Sequence, residues 1–172
     1  MKQSGIPTKK LLNLYKKYSD GEYGVIVTGC IMINGKNLEA PGNVIIDKEL
    51  ESDERREAFK EWTEITKKNG SVFIAQLFHP GKHAIDIAGG NKFDVNTVTR
   101  EQIDEIVEQY AYAASFAQQC GFNGVEISAA YSYALGQFLT VGSNWRTDEY
   151  GGSLENRSRI LFRIIHAIRY HI

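Results

Sequence analysis

The sequence predicts an α/β protein built on a parallel sheet, and three observations carry that expectation. Short apolar runs at residues 24–28, 71–77 and 124–127 have the length and β-branched or aromatic content of strands. Four segments with helical spacing of apolar residues alternate with them, and strict alternation with buried strands demands parallel pairing through right-handed crossovers. The strand starts lie roughly fifty residues apart because two loops are long. An open doubly wound sheet and a sector of a (β/α)8 barrel both satisfy this pattern. No Gly-x-Gly-x-x-Gly follows a strand, which weighs against a dinucleotide-binding sheet.

The first helix is expected over residues 8–19, with Thr8 as cap and Leu11, Leu12, Tyr15 and Tyr18 on one face. Asp20 and Gly21 stop it. Val25-Ile26-Val27 then reads as a strand buried on both faces. Residues 29–43 read as a polar excursion with a Pro41-Gly42 turn. The second helix spans 53–68, acidic at its start and basic at its end as the macrodipole favours, with Phe59, Trp62 and Ile65 or Thr66 inward. After Asn69-Gly70 comes the second strand. Residues 78–98 form a loop long enough to suggest a functional role. Thr99 and Gln102 make a capping box for the third helix, whose inward positions are Ile103, Ile106, Val107, Tyr110 and Ala114. Gly121 ends that helix before the third strand. The last helix starts near Ser153 and turns Ile160, Leu161, Ile164, Ile165 and Ile168 inward.

With 172 residues, 42% hydrophobic and 24% charged, the chain has room for one domain with a real core. The net charge of -1 and the absence of a basic stripe argue against a nucleic-acid partner. No apolar run approaches the ~18 residues of a membrane span. Met1-Lys2-Gln3-Ser4 leads into polar sequence without the look of a secretory signal. Cys30 and Cys120 do not make a disulfide framework, so a reducing cytoplasm is the expected setting.

The chain is organised around residues 123–157. The third strand runs into Tyr131-Ser132-Tyr133, just where α/β proteins place chemistry, past the carboxyl end of a strand. The two tyrosines also make sense as an aromatic packing pair. Gln76, at the end of the second strand, carries an amide that donates and accepts at once, suited to a mixed polar ring edge or to capping a neighbouring backbone. His79 and His83 are four apart, but Pro80-Gly81 forbids a regular helix between them and no carboxylate or thiol cluster completes a metal site. A loop-ordering hydrogen bond is the expected role for a histidine here. Tyr150-Gly151-Gly152-Ser153 opens a helix, yet Glu155 in its first turn repels phosphate, which favours a tight turn with a Ser cap. Arg146 and Asp148 are expected to tie down this loop.

Gln137-Phe138-Leu139 and the run at 144–157, Asn-x-Arg-Thr-Asp-x-Tyr-Gly-Gly-Ser-x-Glu-Asn-Arg, resemble the old yellow enzyme family of FMN-dependent NAD(P)H oxidoreductases. Gln76-Leu77-Phe78-His79-Pro80-Gly81-Lys82 is similar to a further family segment. The resemblance implies a TIM barrel, of which residues 1–172 form a partial domain of about strands 2–4 with flanking helices, a truncated relative. It implies FMN as cofactor, NAD(P)H as electron donor and a small-molecule substrate with an activated alkene. Gln76 and Cys30 take the positions of flavin-ring contacts, and Tyr133 that of the proton donor to the α-carbon when hydride reaches the β-carbon. The family pair that holds the substrate carbonyl is replaced: Ser128 stands for a His, and Tyr131 for a His or Asn. An impaired oxidoreductase, or a non-catalytic remnant, follows from those departures. Open barrel edges further suggest a homo-oligomer.

Overall fold

The computed structural model of the chain describes residues 5–85 and 93–172. The expectation of one long loop over 78–98 falls partly on residues 86–92, which lie outside the described residues.

Four long helices form where the spacing places them. They are α1 (Lys9–Asp20), α2 (Asp53–Lys67), α3 (Arg100–Gln119) and α5 (Leu154–His171). Each is capped by a hydroxyl that accepts a backbone N–H three residues on: Thr8 from Leu11, Ser52 from Arg55, Thr99 from Gln102 and Ser153 from Asn156. The Thr99–Gln102 capping box is fully formed. Ile160, Ile164 and Ile168 of α5 are buried, with Leu161 packed at their margin.

The sheet is parallel throughout, and its order settles the architecture. Strand β4 (Val72–Phe78) is central. On one side it pairs with β1 (Val25–Val27), aligning Val25 with Val72, and then with β2 (Ile31–Met32), aligning Ile31 with Leu77. On its other side lies β5 (Gly124–Ile127), with Gln76 beside Glu126. The three longer strands therefore follow one another across the sheet in chain order, without the reversal of a doubly wound sheet. That progression is a barrel sector, and among the described residues the sheet does not close.

Helices cover one face. Trp62 and Phe59 of α2 and Phe116 of α3 meet Phe73 of β4, Phe122 and Tyr15 in an edge-to-face aromatic cluster, with Phe73 and Phe122 stacked at 4.7 Å. The other face of the sheet is open. Val25 is 61% and Val27 41% exposed, while Ile26 between them is buried. This corrects the expectation of a strand buried on both faces. The apolar run suits a barrel interior, and no strand lining the far side of such a barrel is among the described residues.

The polar excursion at 29–43 is also more ordered than expected. It contains β2, and β3 (Val44–Ile45) follows it and pairs with β2. A two-residue strand is too short to show a period, so only its partner reveals it. The buried guanidinium of Arg55 holds β3 in place by donating to the carbonyls of Ile45 and Gly5, while its Nε donates to Leu50. A small second core of Met32, Leu38, Ile45 and Phe78 forms beneath this segment, with Cys30 and Tyr133 packed against it. The loop after β5 hides one more element, the short helix α4 (Ala134–Leu139).

Candidate active site

The carboxyl ends of β1, β4 and β5 share one rim, and the expected site residues gather there. Gln76 and Glu126 are register partners on adjacent strands. The Gln76 amide donates to Glu126 Oε1 at 2.8 Å, and the Cys30 thiol donates to Gln76 Oε1 at 3.2 Å. Glu126 thereby fixes which way the amide points. Burial first, then the negative charges of Glu39 and Glu126, push the Cys30 thiol up from its ordinary range. Cys30 is half-buried and Cys120 buried, both as free thiols.

Tyr133 stands at the N-cap of α4, and its ring packs edge-on against Phe78 with centroids 4.5 Å apart. Its hydroxyl donates to Glu39 Oε1 at 3.1 Å. Tyr131, edge-on to Tyr133 at 6.3 Å, adopts a left-handed backbone with φ 51° and is 86% exposed. The two rings therefore pack edge-on, as the packing reading expects, and the Tyr133 hydroxyl is held at the rim by Glu39. Ser128 extends the β5 ladder, its N–H donating to the Leu77 carbonyl.

The two histidines have separate roles. His79 is buried beside Phe93, and its Nδ1 accepts from the Gly81 N–H at 3.0 Å. Burial pushes its pKa from 6.5 down to about 4. Gly81 itself needs to be glycine, since its φ is +62° and a Cβ there would lie 2.7 Å from the Ala134 nitrogen. That close approach presses the turn after β4 against the start of α4. His83 is exposed; its Nε2 meets Ser132 Oγ at 2.7 Å and its ring flanks Tyr133 at 5.5 Å.

Behind the rim, Arg146 locks the 144–157 loop as expected. It forms a two-pronged pair with Asp148 and caps the Val95 and Val98 carbonyls at 2.8 and 2.7 Å. The Arg146 guanidinium holds the Asp148 carboxyl below its usual range. The buried Asn144 amide donates to the Phe138 and Tyr150 carbonyls, which ties the loop to α4.

Residues 1–172 match the model of the NADH:flavin oxidoreductase / NADH oxidase family. The chain belongs to that family. It is 38% identical to an NADH-dependent flavin oxidoreductase of Aspergillus parasiticus over 182 residues, covering 95% of this chain and 41% of the relative. It is 37% identical to an NADPH dehydrogenase of Bacillus subtilis over 161 residues, covering 87% of this chain and 46% of the relative. Among solved structures, Old Yellow Enzyme from a Pichia species superposes with a TM-score of 0.88 at 26% identity, over 97% of this chain and 49% of that one. The old yellow enzyme homologue of Zymomonas mobilis gives 0.85 at 26% identity, over 99% and 52%. The chain thus spans about half the length of the relatives it matches.

Flavin with NADH or NADPH as donor is the chemistry of the NADH:flavin oxidoreductase family, and the rim's donor set fits a flavin ring edge. Gln76 retains a second amide hydrogen and a second oxygen lone pair beyond those engaged by Glu126 and Cys30. The space beside Gly29 is open, since a Cβ there would meet no atom within 4 Å. Sequence reasoning missed two carboxylates of this rim, Glu39 and Glu126. Alternation along the third strand places Glu126 on the same face as Gln76 once the register is known, so a signal existed for it. Glu39 had none, because it lies in a loop 94 residues from its partner.

Proposed function

We propose that this chain supplies the ring-binding and proton-donating part of an old yellow enzyme type oxidoreductase, with impaired turnover. The observation that carries the reading is the convergence of Cys30, Gln76 and Tyr133 on one rim. Gln76 and Cys30 would hold the flavin ring edge. Bound flavin supplies hydride transfer from NAD(P)H to the β-carbon of an activated alkene. Tyr133 Oη supplies the proton at the α-carbon. Ser128 and Tyr131 stand where a carbonyl-holding pair is expected, and the 86% exposure of Tyr131 supports a weak grip on a carbonyl. Loss of one such donor typically costs ~10²–10³ in rate. The same exposure favours a second reading, a flavin-free interaction protein. The open valine face, and the edges of β1 and β5 that carry no partner strand among the described residues, support self-association, and the two free thiols suit a reducing cytoplasm.

The test is flavin absorbance of the purified chain, followed by anaerobic NADPH consumption with cyclohexenone. Turnover near background, with FMN retained, is expected. Robust turnover that disappears in Tyr133→Phe would remove the impairment from the proposal, and no FMN binding at all would leave the interaction reading.

A further inference from the structure

We infer that Glu39 is a positioning residue for Tyr133, holding the phenol in its protonated form and anchoring its hydroxyl at the rim. This rests on the reading of Tyr133 as the proton donor. The hydrogen bond from Tyr133 Oη to Glu39 Oε1, 3.1 Å long, is the primary observation. The second is the care with which Glu39 is delivered. Its own N–H and that of Ala40 donate to the Asn43 side chain at 3.1 and 2.7 Å. The preceding Leu38 is buried in the small core under Tyr133, and its carbonyl accepts the Ile85 N–H at 2.8 Å. The backbone on both sides of Glu39 is therefore fixed, and the carboxylate sits opposite Tyr133 without a search. The Tyr133 ring is fixed too, between Phe78 and His83.

A carboxylate that accepts a phenol hydrogen opposes its loss, because phenolate would face a like charge at hydrogen-bond distance. Delivery of the proton to a substrate carbanion then breaks the Tyr133 O–H bond, forms a C–H bond and leaves phenolate beside Glu39. A proton from water restores the phenol. Only rotation about the C–O bond is needed to redirect the hydrogen from Glu39 to the rim. The groups facing Tyr133 are Glu39 from the segment after β2, Cys30 from between β1 and β2, His83 from the turn after β4, and Tyr131 from its own loop. Phe78 from β4 is the uncharged contact. Burial, the Glu39 hydrogen bond and the charges of Glu39, Cys30 and Tyr131 all push the Tyr133 phenol upward.

The experiment is a pH titration of tyrosine-labelled protein by carbon NMR, with Tyr133 assigned through Tyr133→Phe. In the unsubstituted chain Tyr133 is expected to titrate above the ordinary tyrosine value of about 10. Glu39→Gln keeps an acceptor but removes the charge, and is expected to raise the Tyr133 acid dissociation constant about tenfold. The other tyrosine resonances report that the fold is intact. A Tyr133 midpoint at the ordinary tyrosine value of about 10, or one unchanged by Glu39→Gln, would overturn the inference. If the variant does not fold, the Tyr133 midpoint in the unsubstituted chain, set against the ordinary tyrosine value, decides. The titration needs no flavin, so failure to bind FMN sinks the functional reading while leaving a distinct result here.

Discussion

Gln76 and Glu126 lie side by side in register on β4 and β5, and their side chains are joined by a 2.8 Å hydrogen bond. The amide is thus oriented before any ligand arrives. Gln76→Leu leaves a flavin edge without its partner, an expected loss of about 1–3 kcal/mol in FMN affinity. Fluorescence titration with FMN measures it. Equal affinity in the variant would show that the ring does not lie against β4.

Tyr131 is a bulky residue in a left-handed conformation, which costs roughly 1–2 kcal/mol for an L-residue other than Gly, Asn or Asp. Its exposure means that little buried area is lost on replacement. Tyr131→Asn is therefore expected to stabilise the chain by up to about 1 kcal/mol, read as a higher urea midpoint with unchanged slope. A lower midpoint would mean that the ring contact with Tyr133 outweighs the strain.

His79 sets an acid limit on stability. Folding lowers its pKa from 6.5 to about 4, so the neutral ring is favoured in the folded chain. Its contribution, on the order of 3 kcal/mol, is present above pH 6.5 and is lost as pH falls through 4. Protonation would also remove the acceptor of the Gly81 N–H. Urea midpoints measured across this window should fall for the unsubstituted chain and stay nearly level for His79→Asn. Parallel curves would locate the acid sensitivity elsewhere.

Association should follow the open sheet face. Val25 and Val27 present apolar side chains to water, and among the described residues β5 pairs on one side only. Light scattering is expected to detect self-association at micromolar concentration, weakened by the pair Val25→Glu and Val27→Glu. A dilute, stable monomer with a high melting temperature would count against this surface as sticky.

Much of the architecture was already written in local pattern. The hydroxyl caps at Thr8, Thr99 and Ser153 and the isoleucine row of α5 depend on neighbours three or four residues away, so the chain alone determined those helices and the alternation that makes the sheet parallel. The 144–157 run likewise announced its family without coordinates. Tertiary structure decided what depends on distant partners. β2 and β3 exist because β4 and Arg55 complete them, and two residues carry no period of their own. The monotonic strand order, which selects a barrel sector over a doubly wound sheet, is a property of pairing between segments roughly fifty residues apart. The same holds for the carboxylates: Glu126 meets Gln76 through register, and Glu39 reaches Tyr133 only because the Leu38–Ile85 bridge folds one loop onto another. Hydrophobic pattern says which residues leave water, but not which polar groups then meet, since that depends on the relative placement of whole elements.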